Sequence, residues 1–322
     1  VFENCCLKSV RHPGHPMPDH RPQSAEESHH SRPVRLAWIV STPTPYKQPF
    51  FEALAAREEV DLHVMFLQWS DPQRPWDLHK EQDYQYTVLS GFGIRRSLKR
   101  RSYLRVNLSV LQALRRNRSE VVVVCGYDHP TMWIAMLYCL LTGIPFIQQG
   151  ESHTRKTRSR LKKWFKKKLL FPILRQARAA FATGQGARDY WTSTGIPAER
   201  VYTVANTPNV RQIQSAAEEA LDDRESIRSQ LDCGSRRVAI FVGRFDRVKG
   251  IDVLLDSIQR LPDENRPLVL LVGDGPQRES VIQQVSQLSL PVSVLGFRQP
   301  AELPKLYASA DYFVLPSRHE PW

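Results

Sequence analysis

The strongest constraint on the fold is a series of short, nearly unbroken apolar runs, each ending in turn chemistry. Residues 121–127 read VVVVCGY. A run that short, without polar alternation, suits a strand buried on both faces of a parallel sheet. Residues 35–41, 61–68, 84–89, 145–149, 179–183 and 201–205 supply further strand candidates. Between them, residues 103–116, 131–141 and 159–177 read as helices, and Phe50, Phe51 and Leu54 mark an amphipathic stretch after Thr42-Pro43-Thr44-Pro45. Asn206-Thr207-Pro208-Asn209 reads as a linker, followed by a polar helix over 210–231. A second alternation then begins, with strands at 238–242, 268–272, 292–295 and 312–315. This rhythm predicts an α/β chain of two tandem Rossmann-like domains, with the ligand cleft between them. The domains are placed at 34–208 and 209–322, after a disordered tail over 1–33 rich in Pro, His and Ser.

Composition narrows the class. Hydrophobic content of 41% supports packed cores. A formal net charge of +12 points to anionic partners: a nucleotide or phosphate, a nucleic acid or an anionic membrane. The five cysteines have no CxxC spacing, which argues against a disulfide framework or zinc site and fits a reducing compartment. The histidines His12, His15, His20, His29 and His30 lack fixed spacing and read as solvated tail, so no metal is expected. No run reaches the ~18–20 apolar residues of a membrane span. The N-terminal segment lacks the apolar core of a signal peptide, so a cytoplasmic location is expected.

The chemistry concentrates at two strand–turn–helix junctions. Residues 241–250 read FVGRFDRVKG. Gly243 permits a tight turn, and Gly250 opens a helix with Ile251, Leu254, Leu255 and Ile258 on one face. Unpaired N–H groups at such a helix start attract phosphate, and Arg244 and Lys249 can neutralise a diphosphate there. At the second junction Gly273-Asp274-Gly275-Pro276 leaves a strand, with Pro276 suited to a first helical position and Val281, Ile282, Val285 and Leu288 as the apolar face. Neither junction matches GxxxxGK[ST] or GxGxxG, which weakens ATPase and NAD readings.

Gly243-Arg244, Lys249-Gly250, GDGP at 273–276, LGF at 295–297 and PSRHEP at 316–321 follow one another in an order that resembles family 4 of the retaining glycosyltransferases. The resemblance covers 238–322 by motif and the first domain by rhythm alone. It implies the GT-B fold, a nucleotide-sugar donor, no cofactor and no metal. It makes 34–208 the acceptor-side domain and 209–322 the donor domain. By the same resemblance Arg244 and Lys249 hold the donor diphosphate. Gly243, Gly273, Asp274 and Gly275 line the donor pocket, and Phe297 and Arg298 lie near the nucleobase. Glu320 matches the first Glu of the E-x7-E motif, which contacts the donor sugar. The second Glu falls beyond Trp322, so the second domain is read as incomplete and the activity of this chain by itself is left open. Glu151, at the end of a strand, occupies the place where many members carry a His near the reacting centre. Tyr46, His129 and His153 are acceptor-side candidates.

Two basic clusters complete the reading. Residues 155–168 carry basic side chains without an acid around Leu161, Trp164 and Phe165, and a second cluster runs from Arg95 to Arg105. Basic sequence with aromatics fits peripheral contact with the anionic inner face of the cytoplasmic membrane better than specific nucleic-acid binding. The function expected is metal-independent, retaining transfer from a UDP- or GDP-sugar to a glycan or lipid-linked acceptor, as in polysaccharide biosynthesis. The alternatives are a nucleotide-sugar epimerase or phosphorylase of the same fold, or an inactive basic membrane- or nucleic-acid-binding module.

Overall fold

The strands Val34–Val40 (β1), Val60–Phe66 (β2), Gln85–Val88 (β3), Val121–Cys125 (β6), Phe146–Gly150 (β7), Ala179–Ala182 (β8) and Val201–Thr203 (β9) form one sheet, with Phe92–Ser97 (β4) and Ser102–Val106 (β5) apart from it. The computed structural model describes residues 32–70, 76–78, 81–97, 102–151 and 166–320. The chain divides into Val1–Arg32 and Pro33–Trp322. The tail expected over 1–33 lies almost wholly outside the described residues, as do His153 and most of the basic stretch 155–168.

The seven-stranded sheet has the order β3-β2-β1-β6-β7-β8-β9, with every pair parallel. Period-two alternation sends its side chains into two cores. From β1, Ala37 and Ile39 join Met65, Val122 and Val124 on one face. Trp38 and Val40 join Val64, Phe66 and Val123 on the other. Helix Gln48–Ala55 (α1) seals the second core through Phe51. Helix Pro130–Thr142 (α3) seals the first through Met132, Ala135, Met136 and Cys139. Pro130 starts α3 because a first-turn position needs no N–H partner, and Gly143 stops it at φ 75°.

Strands Val238–Val242 (β10), Leu268–Val272 (β11), Val292–Gly296 (β12) and Tyr312–Phe313 (β13) form a second parallel sheet, ordered β12-β11-β10-β13. Here too Ala239 and Phe241 enter one core while Val238 and Ile240 enter another. Ile251, Leu254, Leu255 and Ile258 are all buried against the sheet, as their spacing requires. On the next helix Val281 is buried and Val285 and Leu288 pack on the same core, whereas Ile282 is exposed. Among the described residues no helix is long and apolar enough to cross a membrane.

Four local expectations change. Residues 103–116 are not one helix: β5 pairs with β4, and the helix is Ser109–Arg116 (α2). Asn107 lies between the two, its buried side chain donating to Leu67 O (3.1 Å) and Leu89 O (2.9 Å). The polar helix over 210–231 is two, Val210–Asp222 and Arg224–Gln230, meeting at Asp223. The basic helix expected to 177 ends at Leu174, its described part being Lys166–Leu170 and Phe171–Leu174 (α4). Pro276 is not the first helical residue, because a turn intervenes and the helix begins at Arg278.

Candidate functional site

Three turns meet at the carboxyl end of the second sheet. Gly243 N donates to Val272 O (2.9 Å), and Gly273 N donates to Gly296 O (2.7 Å), so the exits of β10, β11 and β12 are stitched in series. Phe245, fully buried, locks the first two turns together. Its N–H donates to Asp274 O (2.9 Å), and its carbonyl accepts from Gln277 N (3.0 Å). This closeness is what the glycines permit. A Cβ on Gly273, at φ 138°, would lie 1.9 Å from Gly243 O, and one on Gly275 would lie 2.4 Å from Phe245 O. Gly243 itself has no positive φ, so the tight geometry expected there belongs to Gly273 instead. Asp274 turns its carboxylate onto Gly275 N (2.7 Å).

The stretch 316–320 closes on the first turn. Gly250 holds φ 69°, and a Cβ there would meet Pro316 O at 2.1 Å. Arg318 N donates to Val248 O (2.8 Å), and its guanidinium forks onto Asp252 at 2.7 and 2.6 Å. Hydrogen bonds from Arg318 hold the Asp252 carboxyl below the usual carboxylate range. This clamp brings Glu320 to Lys249, with Nζ donating to Oε1 at 2.6 Å across 71 residues of sequence. Burial pushes the Glu320 carboxyl up, but the hydrogen bonds from Lys249 and Ser317 and the charges of Lys249 and His319 together carry it below its ordinary value. An ammonium has three donors, so Lys249 can hold Glu320 and a second acceptor together.

Asp246 caps the short turn Arg247–Lys249, accepting from Val248 N (3.1 Å) and Lys249 N (3.3 Å), and Arg244 Nε lies 3.7 Å from its carboxylate. Helix Ile251–Gln259 (α8) starts immediately after Gly250, with Asp252 in its first turn. Arg244, Lys249 and a helix start within one turn, with Glu320 opposite, suit an anion attached to a hydroxyl-bearing group. Phe297 and Arg298 follow Gly296 at the exit of β12, and Arg298 Nη1 donates to Glu302 (3.1 Å).

The first sheet gathers a second group. Tyr46, Lys47, Trp38, Phe50, Gln149 and Asn206 line one pocket at the carboxyl ends of β1, β7 and β9. Glu151, directly after β7, accepts from Asn206 Nδ2 beside it. Trp38 Nε1 donates to Gln149 Oε1 (3.2 Å) and to Cys125 Sγ (3.0 Å) beneath. Burial pushes the Cys125 thiol up. Tyr46 meets Trp76 edge-on at 6.2 Å. His129 is not among the lining of that pocket. It stands at the N-cap of α3, with Nδ1 accepting from Arg105 N (3.0 Å). Sequence reasoning missed Phe245, Asp246, the Asp252–Arg318 fork, Lys47, Gln149 and Asn206. Asp246 alone had a readable signal, an Asp placed to cap the turn before Gly250.

Residues 21–207 match a family model described as "Glycosyl transferase 4-like domain", and residues 222–322 match "Glycosyl transferases group 1". The chain belongs to the group 1, glycosyltransferase 4-like family. The uncharacterized glycosyltransferase MJ1607 of Methanocaldococcus jannaschii is 32% identical over 130 residues, 39% of this chain and 33% of that protein. Alpha-D-kanosaminyltransferase of Streptomyces kanamyceticus is 28% identical over 151 residues, 46% of this chain and 38% of that protein. The matches thus span about a third of the length of these relatives. Anabaena Alr3699/HepE, solved in complex with UDP-glucose, superposes with a TM-score of 0.61 at 16% identity, covering 89% of this chain and 75% of that one. At that identity the likeness speaks for the fold alone, which is GT-B.

Proposed function

We propose that this glycosyltransferase-family chain moves a sugar from a nucleotide-sugar donor, with UDP or GDP as its nucleotide, to a glycan or lipid-linked acceptor. The observation that carries the reading is the Lys249–Glu320 contact of 2.6 Å at the start of α8. In this reading Arg244, Lys249 and the helix start hold the diphosphate, and Glu320 accepts from sugar hydroxyls. Gly273, Asp274 and Gly275 border the sugar, and Phe297 and Arg298 border the base. Breaking the anomeric C–O bond leaves both electrons on the diphosphate oxygen. The added negative charge faces two fixed cations, whose preorganised positions lower the barrier without a metal ion. The configuration at the anomeric carbon is retained. Glu151, Tyr46, Lys47 and Asn206 form the acceptor side, and peripheral contact of the basic stretch 155–168 with a cytoplasmic leaflet supplies a lipid-borne acceptor. The complex of HepE with UDP-glucose supports the donor class.

Titration calorimetry with UDP- and GDP-sugars tests this. Lys249→Ala is expected to weaken binding about 10–100-fold, the worth of a charge-assisted hydrogen bond. Its fold should persist, since a partly exposed ion pair contributes about 1 kcal/mol or less. Absence of binding, or binding indifferent to K249A, overturns the reading. Transfer abolished by EDTA and restored by a divalent cation removes its metal-independent part.

A further inference from the structure

Gln149 is only 5% exposed, and its amide is held in one orientation by its neighbours in the sheet. An indole N–H can only donate, so the atom facing Trp38 Nε1 at 3.2 Å is Gln149 Oε1. Cys125, the register partner of Gln149, brings Sγ to the same oxygen at 2.7 Å. Burial pushes that thiol up, so it keeps its proton and donates as well. With both donors on Oε1, the NH2 end is the one presented to the pocket that Gln149 lines. Three successive strands, β1, β6 and β7, therefore fix the direction of one amide.

Lys47 lines the same pocket from the N-cap of α1. Its charge reaches Cys125, drawing the thiol down against the larger effect of burial. Among the described residues, neither Lys47 Nζ nor Gln149 Nε2 has a hydrogen-bond or ion-pair partner. The nearby acid, Glu151, is outside the lining and accepts from Asn206 Nδ2. Two donors thus face one space, walled by Trp38, Phe50 and Phe51. The enclosed volume is about 20 Å³, room for one water-sized group or little more. Tyr46 and Phe50, both partly exposed, flank it, so a sugar ring would rest outside with one substituent pointing in.

A substituent entering here strips water from Lys47. A neutral hydroxyl would leave the ammonium desolvated and unpaired, which is costly. A carboxylate satisfies both donors, one oxygen to each, and balances the charge. A phosphate monoester brings three terminal oxygens to two donors and more bulk than the space admits. We propose that Lys47 Nζ and the Gln149 NH2 form a carboxylate subsite, that the acceptor is therefore an acidic sugar, and that Cys125 is a positioning residue keeping the Gln149 amide turned to it. Placing the carboxylate on the acceptor rests on the function proposed above. Recognition of a carboxylate by the two donors does not.

The test is ligand-observed NMR titration of the full chain with D-glucuronate, D-glucose and D-glucose 6-phosphate. Glucuronate should bind about tenfold or more tightly than glucose, the worth of a charge-assisted hydrogen bond. Lys47→Met should erase that preference while the thermal midpoint stays unchanged. Cys125→Ala removes one donor from Oε1 and should weaken glucuronate binding about threefold, the worth of a neutral hydrogen bond. Cys125→Ser keeps a donor there and should restore it. Ser and Ala differ little in size, so this contrast reads the donor and not the packing. No glucuronate binding, equal affinity for glucose, a preference that survives K47M, or tighter binding of glucose 6-phosphate overturns the subsite. Equal affinity of C125A and C125S overturns the positioning role. Calorimetry with UDP-sugar on the same chain separates the two readings. Glucuronate preference absent with UDP-sugar binding intact refutes the subsite alone, and the reverse refutes the donor reading alone.

Discussion

Gly143 and Gly273 both sit at positive φ, at 75° and 138°, yet their substitution should differ sharply. Nothing lies within 4 Å of a Cβ on Gly143, so Gly143→Ala carries only the left-handed backbone penalty of about 1 kcal/mol. Gly273→Ala drives a methyl into Gly243 O at 1.9 Å, which backbone must move to relieve. We expect a loss of about 3 kcal/mol or more in urea unfolding, together with weakened donor binding, because the turns carrying Arg244 and Asp274 shift with it. Equal effects at the two positions would show that the turns are not held as described. Lys249 is the complementary case at this scale, with a large expected effect on ligand and a small one on stability.

Among elements, the junction of Arg224–Gln230 (α7) with β10 depends on Asp311. Its carboxylate accepts from Arg224 Nη2 (2.6 Å), Val238 N (2.7 Å) and Arg228 Nη1 (3.4 Å). Burial pushes this carboxyl up, but the Val238 and Arg224 hydrogen bonds and the arginine charges carry it below its ordinary value. A folded-state value below the unfolded one means the stabilisation is complete above the unfolded value, about 3.9, and is lost as pH falls through the folded one. Asp311→Ala should cost about 2 kcal/mol near neutral pH. The difference from wild type in urea midpoint should shrink between about pH 5 and pH 2. A difference independent of pH would mean that the carboxylate's charge is not what holds the junction.

For the whole molecule, each sheet buries its own pair of cores. Donor held by the second sheet should therefore protect that sheet's exits first. With UDP-sugar at about 100 times its Kd, amide exchange should slow in 243–252, 273–277 and 316–320, by up to about 2.7 kcal/mol. The amides of β1, β2 and β6 should change little. Equal protection in both sheets would place the donor elsewhere.

The apolar runs by themselves determined two α/β sheets, because a strand buried on both faces leaves little choice of residue. The helix faces, such as Ile251 to Ile258, were equally legible, since periodicity is a local property. Of the candidate site, Arg244, Lys249 and the glycines could be read because they cluster in two turns, and Glu320 through its motif. Only the tertiary structure decided what joins them. Lys249 and Glu320 meet because Gly250 admits Pro316 O and Arg318 forks onto Asp252, contacts between segments remote in sequence. The β4–β5 ribbon was hidden for the same reason. Its Arg105 is anchored to His129 and Gln68, 24 and 37 residues away in sequence.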